Sequence, residues 1–327
     1  MIASIQAQRW IDFIDREYLS AFIVEGGSAL KFAVPLDDVL RPDIWDGLCD
    51  IGARTGFLVA KIDASETKVN LVDEIFFRTA QQVPWQLLCR KVIAKLAADS
   101  GYAWIDHGDG PLYQTLAAHN QVDPQLLLLD LKKSIGDKIF KKSNLSRDFR
   151  FAMTYLCIAE LSGPQEGSAA ASALTDWLTG KNKAISAVKP YQIFRKINRN
   201  TARYFFESMI HWIRFAGYPG TLILLDAQRV MLPKNPRDQK PFYSKAAVLD
   251  TYEILRQFID SGDRLEGCLM TVVPDRAFLE DTSRGIGAYE ALKFRVFDEI
   301  RDKRLVNPMA SLARISTAPQ RDGSNGY

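Results

Sequence analysis

Short apolar runs alternate with longer segments of helical periodicity along this chain. Four runs hold at most one charged residue each, which is typical of strands buried on both faces of a parallel sheet. These runs are residues 29–34, 56–62, 222–225 and 268–273. Because strands that alternate with helices form parallel sheets, the pattern predicts an α/β fold with a parallel sheet flanked by helices.

Apolar residues at helical spacing predict the elements between these strands. The predicted helical segments are residues 7–18, 43–54, 71–100, 124–142, 198–216, 244–260 and 289–303, with a helix end at 174–180. Asp123 before a proline predicts a helix start, and Gly217 predicts a helix end. Residues 163–168 and 233–241 are predicted loops, and residues 316–327 a mobile tail.

The order of these elements predicts four segments. Residues 1–70 hold the N-terminal helix and the first strand–helix–strand unit of the core. Residues 71–197 form a mostly helical insertion between the second and third core strands. Residues 198–315 complete the α/β core and its C-terminal helices, and residues 316–327 form the tail.

Composition sets few further limits. The 327 residues are 47% hydrophobic and carry a net charge of only +3, so any nucleic-acid binding must depend on local clusters of charge. The four cysteines are far apart and form no CxxC pair, which argues against a zinc site and a disulfide framework. The N-terminus lacks the pattern of a signal peptide, and no apolar run is long enough to span a bilayer. We therefore expect a cytoplasmic protein with reduced thiols.

The run that ends at Asp226 points to a particular chemistry. In P-loop ATPases a buried strand ends in Asp-Glu, and these two acids hold magnesium and activate water. Here four apolar residues lead into Asp226, but Ala227 stands at the glutamate position. Since the loss of a general base lowers a rate by roughly a hundredfold to ten-thousandfold, the strand predicts the scaffold of an ATPase without its hydrolysis.

Three phrases of the sequence resemble one family of such proteins. They are DWLTG at residues 176–180, GYPGTLILLD at 217–226, and FLEDTSRGI at 278–286 followed by YEAL at 289–292. In this order they are similar to the ATP-binding domain family of BREX-type anti-phage systems, a branch of the AAA+ and STAND-like P-loop ATPases. The resemblance covers about residues 26–315. It implies a P-loop NTPase-like (AAA+/ASCE) sheet and a role in bacterial phage defence.

The resemblance also places the family's phosphate loop after the first strand, where this chain departs from the pattern. The loop should read GxxGxGKT, but residues 35–42 read PLDDVLRP, with Arg41 at the lysine position and Pro42 at the hydroxyl position. Phosphate loops need glycines so that successive N–H groups can surround the phosphates. Prolines lack that donor, and Asp37 and Asp38 would repel a triphosphate. Both nucleotide-binding (Walker) motifs are therefore degenerate.

Other positions allow two interpretations each. Lys31 in EGGSALK is an alternative loop lysine, although glycine and hydroxyl are missing at the required places. Asp226 is either a vestigial magnesium position or a strand-end acid that caps a helix or forms a salt bridge. Arg284 resembles the family's Arg-Gly pair, which implies an inter-subunit or nucleotide-sensing role, but a turn arginine that pairs with Asp281 or Glu280 fits as well.

Two clusters of basic residues, with aromatic residues between them, are candidates for binding a phosphate backbone. The candidate residues are Lys132, Lys133, Lys141, Lys142, Arg147, Arg150, Arg195, Lys196 and Arg199. Charge runs on helices are more often solvated faces, so this alternative stays open.

The leading hypothesis is a catalytically inactive, AAA+-like subunit of a phage-defence system. It would act by assembly with other defence proteins or with like subunits, and we expect no cofactor, no catalytic residue and no membrane. One alternative is an active ATPase whose site is completed in an oligomer, with ATP and magnesium bound near Arg41, Asp226 and Arg284. The other is an adaptor that binds double-stranded DNA.

Overall fold

The structure is a computed structural model that describes residues 4–105, 110–297 and 307–317. The chain divides into two compact units. Met1–Thr79 together with Tyr218–Tyr327 form the first, which we call the sheet unit. Ala80–Gly217 form the second, which we call the helical unit.

The sheet unit holds a six-stranded sheet in which every neighbouring pair of strands is parallel. Its strands are β1 (Ile5–Gln6), β2 (Ser28–Pro35), β3 (Leu58–Asp63), β4 (Thr221–Asp226), β5 (Cys268–Val273) and β6 (Leu312–Ser316). They lie in the order β1-β6-β2-β5-β4-β3. This parallel sheet flanked by helices confirms the predicted P-loop NTPase-like fold class.

Helices make up most of the remaining described chain. In order they are α1 (Ala7–Phe13), α2 (Leu40–Arg54), α3 (Val72–Ala80), α4 (Trp85–Asp99), α5 (Leu112–Asn120), α6 (Pro124–Phe140), α7 (Arg147–Leu178), α8 (Ala202–Phe215), α9 (Lys245–Asp260), α10 (Ala277–Glu280) and α11 (Glu290–Val296). A π-helical segment, Ile14–Ile23, continues α1. The helix start predicted at Asp123 is confirmed, because its side chain accepts a hydrogen bond from Leu126 N at 2.9 Å.

The apolar core of the sheet unit packs two helices against one face of the sheet. Trp10 of α1 and Ile44 of α2 are fully buried on one face of the sheet, against Leu222 of β4 and Leu269 of β5. All of β4 before its final aspartate is buried, as its uniformly apolar run predicts. α1 and α2 therefore cover this face of the sheet.

One predicted loop is wrong. Residues 163–168 lie inside α7, which bends at Gly163 (φ 76°) and then continues as a second helical segment. Pro164 starts that segment, where a helix does not need the missing N–H. Gly167 then lies so close to the preceding segment that a Cβ there would be 2.1 Å from the Ala159 carbonyl oxygen. Glycine and proline mark a kink here instead of a loop.

Other predicted boundaries shift by a few residues. The helix predicted at 198–216 begins at Ala202, and Gly217 follows its end with φ 96°. The helix predicted at 289–303 is present as α11, and its remainder from residue 298 to 303 lies outside the described residues. The predicted tail lies outside them from residue 318 onward, while residues 312–316 form β6, which was not predicted.

The cysteines and helices add two observations. Cys49, Cys89, Cys157 and Cys268 are free thiols. Among the residues that the structure describes, no helix is both long and apolar enough to cross a membrane.

Candidate site at the carboxyl edge of the sheet

Three parallel strands end side by side at one edge of the sheet. Asp63 at the end of β3 is in register with Asp226 at the end of β4, and Asp226 is in register with Val273 at the end of β5. Open α/β sheets bind their ligands at the carboxyl ends of the strands. Asp226 therefore lies where a ligand of this fold is expected.

The guanidinium group of Arg41 occupies this edge. Arg41 Nη1 donates to Asp226 Oδ1 at 3.1 Å and to the Val273 carbonyl at 3.0 Å. Nη2 donates to the Pro274 carbonyl at 3.0 Å and lies 3.9 Å from Asp38 Oδ1. The Arg41 side chain is only 12% exposed. A single planar cation thus connects the start of α2 with the ends of β4 and β5.

The carboxylate of Asp226 is bound by groups of the chain itself. Its Oδ1 accepts from Arg41 and also from the backbone N–H of Gln228 at 2.9 Å. Burial raises the pKa of Asp226; Arg41 and the Gln228 N–H lower it, and the nearby Asp63 and Asp38 raise it again. Arg41 is therefore the main group that favours the charged form of Asp226. A salt bridge, one of the two structural roles considered for Asp226, is present, and the bond from the Gln228 N–H closes the turn after β4.

The N–H groups at the start of α2 are already bonded or missing. The first four N–H groups of a helix have no partner within the helix, and these are the groups that bind anions. In α2 they belong to Val39, Leu40, Arg41 and Pro42. Asp37 accepts from Val39 N through its carboxylate at 3.2 Å and from Leu40 N through its carbonyl at 3.1 Å. The Asp38 carbonyl accepts from Arg41 N at 3.1 Å, and Pro42 has no N–H.

The position beside Asp226 offers no group that could activate water. Ala227 is buried, and its N–H donates to the Val273 carbonyl at 3.0 Å. The second carboxylate at this edge, Asp63, accepts from the Ser65 N–H at 2.6 Å and so closes its own turn. The side chain of Val273, in register with Asp226, is buried and apolar.

Arg284 lies apart from the Arg41–Asp226 pair and binds backbone carbonyls. Its Nη2 donates to the Val230 carbonyl at 3.0 Å and to the Tyr243 carbonyl at 2.6 Å, and the residue is 8% exposed. Its backbone N–H donates to Asp281 Oδ1 at 2.9 Å. Arg284 thus joins the segment after β4 to the segment before α9, and its guanidinium is turned inward rather than toward solvent.

Tyr243 is a residue of this region that sequence reasoning missed. Its hydroxyl lies 2.8 Å from the Ala64 carbonyl and 2.7 Å from the Thr67 carbonyl, and it accepts from Val69 N at 3.2 Å. Burial raises the pKa of Tyr243 to about 12. The hydroxyl therefore closes the turn after β3. A lone tyrosine after a polar loop carries no motif that could have indicated this role.

Lys31, the alternative candidate for the loop lysine, lies elsewhere. It is inside β2, it is 3% exposed, and its Nζ donates to the carbonyls of Met309 at 2.6 Å and Ala310 at 3.0 Å. The ammonium group also lies 4.3 Å from the centre of the Tyr18 ring. Burial lowers the pKa of Lys31 to about 8. The alternative is wrong, because Lys31 belongs to a strand and not to a turn at the carboxyl edge.

Comparison with known proteins identifies the family. The model of a family described as "BREX system ATP-binding protein BrxC/D" matches residues 112–320. The chain belongs to this family. No curated protein and no solved structure gives a significant match.

Membership in the BrxC/D family makes the chain a component of a phage-defence system and implies other subunits of that system as its partners. The matched range contains Asp226 and Arg284, but it begins after α2 and so does not contain Arg41. The family match therefore gives no information on the loop before α2, and only the residues and contacts of that loop bear on nucleotide binding there.

A magnesium nucleotide is the ligand that a P-loop-type edge would hold, and the residues here do not fit it. The N–H groups at the start of α2 are already bonded or missing, and two aspartates lie in the turn where phosphates would bind. The carboxylate that would take part in magnesium binding is paired with Arg41. Each of the three requirements fails for a separate reason.

Contacts at the start of α7 bring basic candidates of both sequence clusters together. The guanidinium of Arg150 at the start of α7 donates to the Phe140 carbonyl at the end of α6, at 2.6 Å. Arg195 Nε lies 3.9 Å from Oδ2 of Asp148, and Asp148 is at the start of α7. Lys142 makes a different contact, because its Nζ lies 4.3 Å from the centre of the Phe215 ring. Burial lowers the pKa of Lys142, and the nearby Lys95 and Lys138 lower it further.

Lys132 and Lys133 lie more than a turn earlier on α6, and no contact of the described residues joins them to this group. The residues that do come together belong to both sequence clusters, about fifty positions apart. Lys141, Lys196 and Arg199 lie near these residues along the chain. We call Lys141, Arg147, Arg150, Arg195, Lys196 and Arg199 the basic surface.

Proposed function

We propose that this chain is a catalytically inactive, AAA+-like subunit of a phage-defence system, and that it acts by assembling with other subunits. The contact between Arg41 and Asp226 carries the proposal. It places a fixed cation on the acid that would take part in magnesium binding, and that cation comes from the position at which relatives have their phosphate-binding lysine.

The same contact accounts for the retained fold. In an active P-loop ATPase the bound nucleotide and its magnesium connect the phosphate loop with the strand ends. Here Arg41 makes that connection within the chain, through Asp226, the Val273 carbonyl and the Pro274 carbonyl. The edge is thereby held in one arrangement without a ligand, which suits a subunit whose surfaces must always be ready for assembly.

ATP turnover by the purified chain, alone and within the assembly isolated from its host, tests the proposal. We expect none from the chain alone. The ATPase rate of the assembly should be the same with wild-type chain and with Asp226→Asn, because this chain contributes no hydrolysis. Turnover by the chain alone that Asp226→Asn abolishes would refute the proposal.

The alternative of a site completed in an oligomer makes a different prediction. Turnover would rise more steeply than protein concentration and would be lost in Arg41→Ala or Arg284→Ala. The internal contacts of Arg284 with the Val230 and Tyr243 carbonyls argue against it, because a guanidinium that reaches into a neighbouring subunit must first leave them.

A second candidate function is nucleic-acid binding by the helical unit. The observation that favours it is that two basic clusters distant in sequence meet at the start of α7. Duplex DNA binding would require an affinity that falls with salt and that decreases when Lys141 and Lys196 are replaced by glutamate.

A further inference from the structure

A row of aromatic side chains lies beside the basic surface. Arg147, Phe151 and Tyr155 follow at four-residue spacing along α7, about 6 Å per step. Phe140 contacts Phe151 with ring centres 5.0 Å apart, and Tyr155 contacts Tyr191 with ring centres 5.3 Å apart. We call Phe140, Phe151, Tyr155, Tyr191 and Phe194 the aromatic row.

Two rings of the aromatic row are open to solvent. Phe194 is 58% exposed and Phe140 is 39% exposed. The guanidinium of Arg147 lies 5.7 Å from the centre of the Phe194 ring and 4.8 Å from that of Phe151. The row thus alternates aromatic faces with a cation, an arrangement on which flat, electron-rich rings stack well.

The chain holds this arrangement in place before any partner binds. The carboxylate of Asp148 is 4% exposed, and its Oδ1 accepts from the backbone N–H groups of Phe194 at 2.8 Å and Arg195 at 3.3 Å. These bonds attach the segment with Phe194 to the first turn of α7. The acid keeps its negative charge in this position and offsets part of the positive charge around it, with Oδ2 3.9 Å from Arg195 Nε.

Cations that could hold phosphates remain available around the row. Lys141, Lys196 and Arg199 are exposed, and none pairs with an acidic side chain in the part of the chain that the structure describes. Arg195 is exposed as well, at 3.9 Å from Asp148. Such cations, spaced around exposed rings, are the combination that binds single strands.

We propose that the basic surface and the aromatic row together bind single-stranded nucleic acid. Unpaired bases stack on Phe194 and Phe140, and Lys141, Lys196 and Arg199 contact the phosphates. A duplex presents its phosphates but not its base faces, so it would leave the two exposed rings unused. The proposal deepens the nucleic-acid part of the proposed function and rests on it, but it does not depend on the absence of ATP turnover.

Fluorescence anisotropy with the full chain tests this proposal. The probes are a labelled oligothymidylate and a labelled duplex of equal length, each titrated at several salt concentrations. We expect tighter binding of the single strand, and Phe194→Ala should weaken it by about fivefold or more. Lys141→Glu with Lys196→Glu should weaken binding further. The slope of log affinity against log salt concentration should become shallower by about 0.7 for each phosphate that the variant no longer binds.

Matched variants in the sheet unit provide the controls. Phe294 is 73% exposed on α11, so Phe294→Ala removes an equally open ring, and Lys234→Glu with Lys240→Glu reverses two exposed lysines of the loop before α9. Neither should change the affinity. Equal affinities of Phe194→Ala and Phe294→Ala, a preference for the duplex, or no binding of either probe would each overturn the proposal.

The failure of this proposal can be told apart from that of the proposed function. If single strands bind as expected while the chain hydrolyses ATP, only the claim of catalytic inactivity fails. If the chain is inactive and neither probe binds, the nucleic-acid part fails and the assembly role remains.

Discussion

Arg41 Nη1 lies 3.1 Å from Asp226 Oδ1, and the two residues are 185 positions apart in the sequence. In our proposal the first stands at the lysine position of a phosphate loop, and the second ends the strand that would carry the magnesium-binding acid. An ion pair between these two residues leaves neither free for a nucleotide. In the same proposal it replaces the connection that a nucleotide would make.

The strength of this ion pair can be measured by a double-mutant cycle. Arg41→Met and Asp226→Asn should each lower the free energy of unfolding by about 1–3 kcal/mol, since each leaves a largely buried partner unsatisfied. The two losses should not add, and the coupling should be about 1 kcal/mol or more. Denaturant unfolding of the four proteins provides the values. Additive losses would mean that the ion pair contributes nothing to stability.

Arg41→Lys is the matched control for that cycle. It keeps the charge but loses the planar fork that reaches Asp226, Val273 and Pro274 together. We expect a stability between those of the wild type and Arg41→Met. A lysine variant as stable as the wild type would show that charge alone, without the carbonyl contacts, fixes the edge.

Arg284 should act as a structural residue. Its removal in Arg284→Ala leaves the carbonyls of Val230 and Tyr243 without their donor in a buried place, so we expect a loss of about 2–3 kcal/mol. Arg276, whose pair with Glu280 is exposed, is the control, and Arg276→Ala should cost less than about 1 kcal/mol. Equal effects of the two changes in denaturant unfolding would contradict a buried role for Arg284.

Acid should weaken the hydrogen-bonded cluster around Glu253 of α9, to which Tyr289 before α11 also donates. Arg256 donates two hydrogen bonds to Glu253, and these, with bonds from Tyr289 and Gln257, lower the pKa of Glu253 to about 2. Because the folded state lowers this pKa from its usual 4.5, the stabilisation is complete above about pH 4.5 and is lost as the pH falls to about 2.

Melting temperatures measured between these pH values test that expectation. The wild type should lose stability more steeply with acid than Glu253→Gln does, while Glu25→Gln, in an exposed turn, should follow the wild type. If the Glu253→Gln curve runs parallel to the wild-type curve, another group causes the acid sensitivity.

Replacement of two glycines of the helical unit by alanine should change stability in opposite directions. Gly167→Ala would put a Cβ 2.1 Å from the Ala159 carbonyl oxygen, so the two segments of α7 must separate and stability must fall. A Cβ at Gly136, inside α6, meets nothing within 4 Å, and Gly136→Ala should stabilise the chain by about 0.5–1 kcal/mol. Thermal unfolding of both variants decides, and a neutral Gly167→Ala would mean that the kink is not tightly packed.

Four of the six strands, β2 to β5, could be predicted to within two residues of their ends. Each is an apolar run with a polar or turn residue beside it. β2, β4 and β5 are almost entirely buried, as strands inside a parallel sheet are, while β3 lies at the edge and has one exposed residue, Lys61. β1 and β6 were not predicted because they lack such an apolar run. The first has only two residues, and the second includes Arg314 and Ser316 in a run of five, so neither gives a periodic signal.

The site could be predicted only in part. The sequence places Asp226 at a strand end and Arg41 in the loop before a helix predicted from residue 43, and it indicates that the phosphate loop is degenerate. That Arg41 reaches Asp226 depends on β5 lying between β2 and β4, and a strand order of this kind is not encoded in local periodicity. The kink at Gly163 was missed because glycine and proline together indicate a turn equally well.

The carboxyl edge of the sheet has, in our proposal, exchanged its nucleotide for Arg41. The decisive measurement is a calorimetric titration of the purified full chain with ATP and magnesium. We expect no binding up to millimolar nucleotide, for the wild type and for Asp226→Ala alike. Binding with a dissociation constant in the low micromolar range, lost in Asp226→Ala, would show that the edge still holds a nucleotide and that the proposal is wrong.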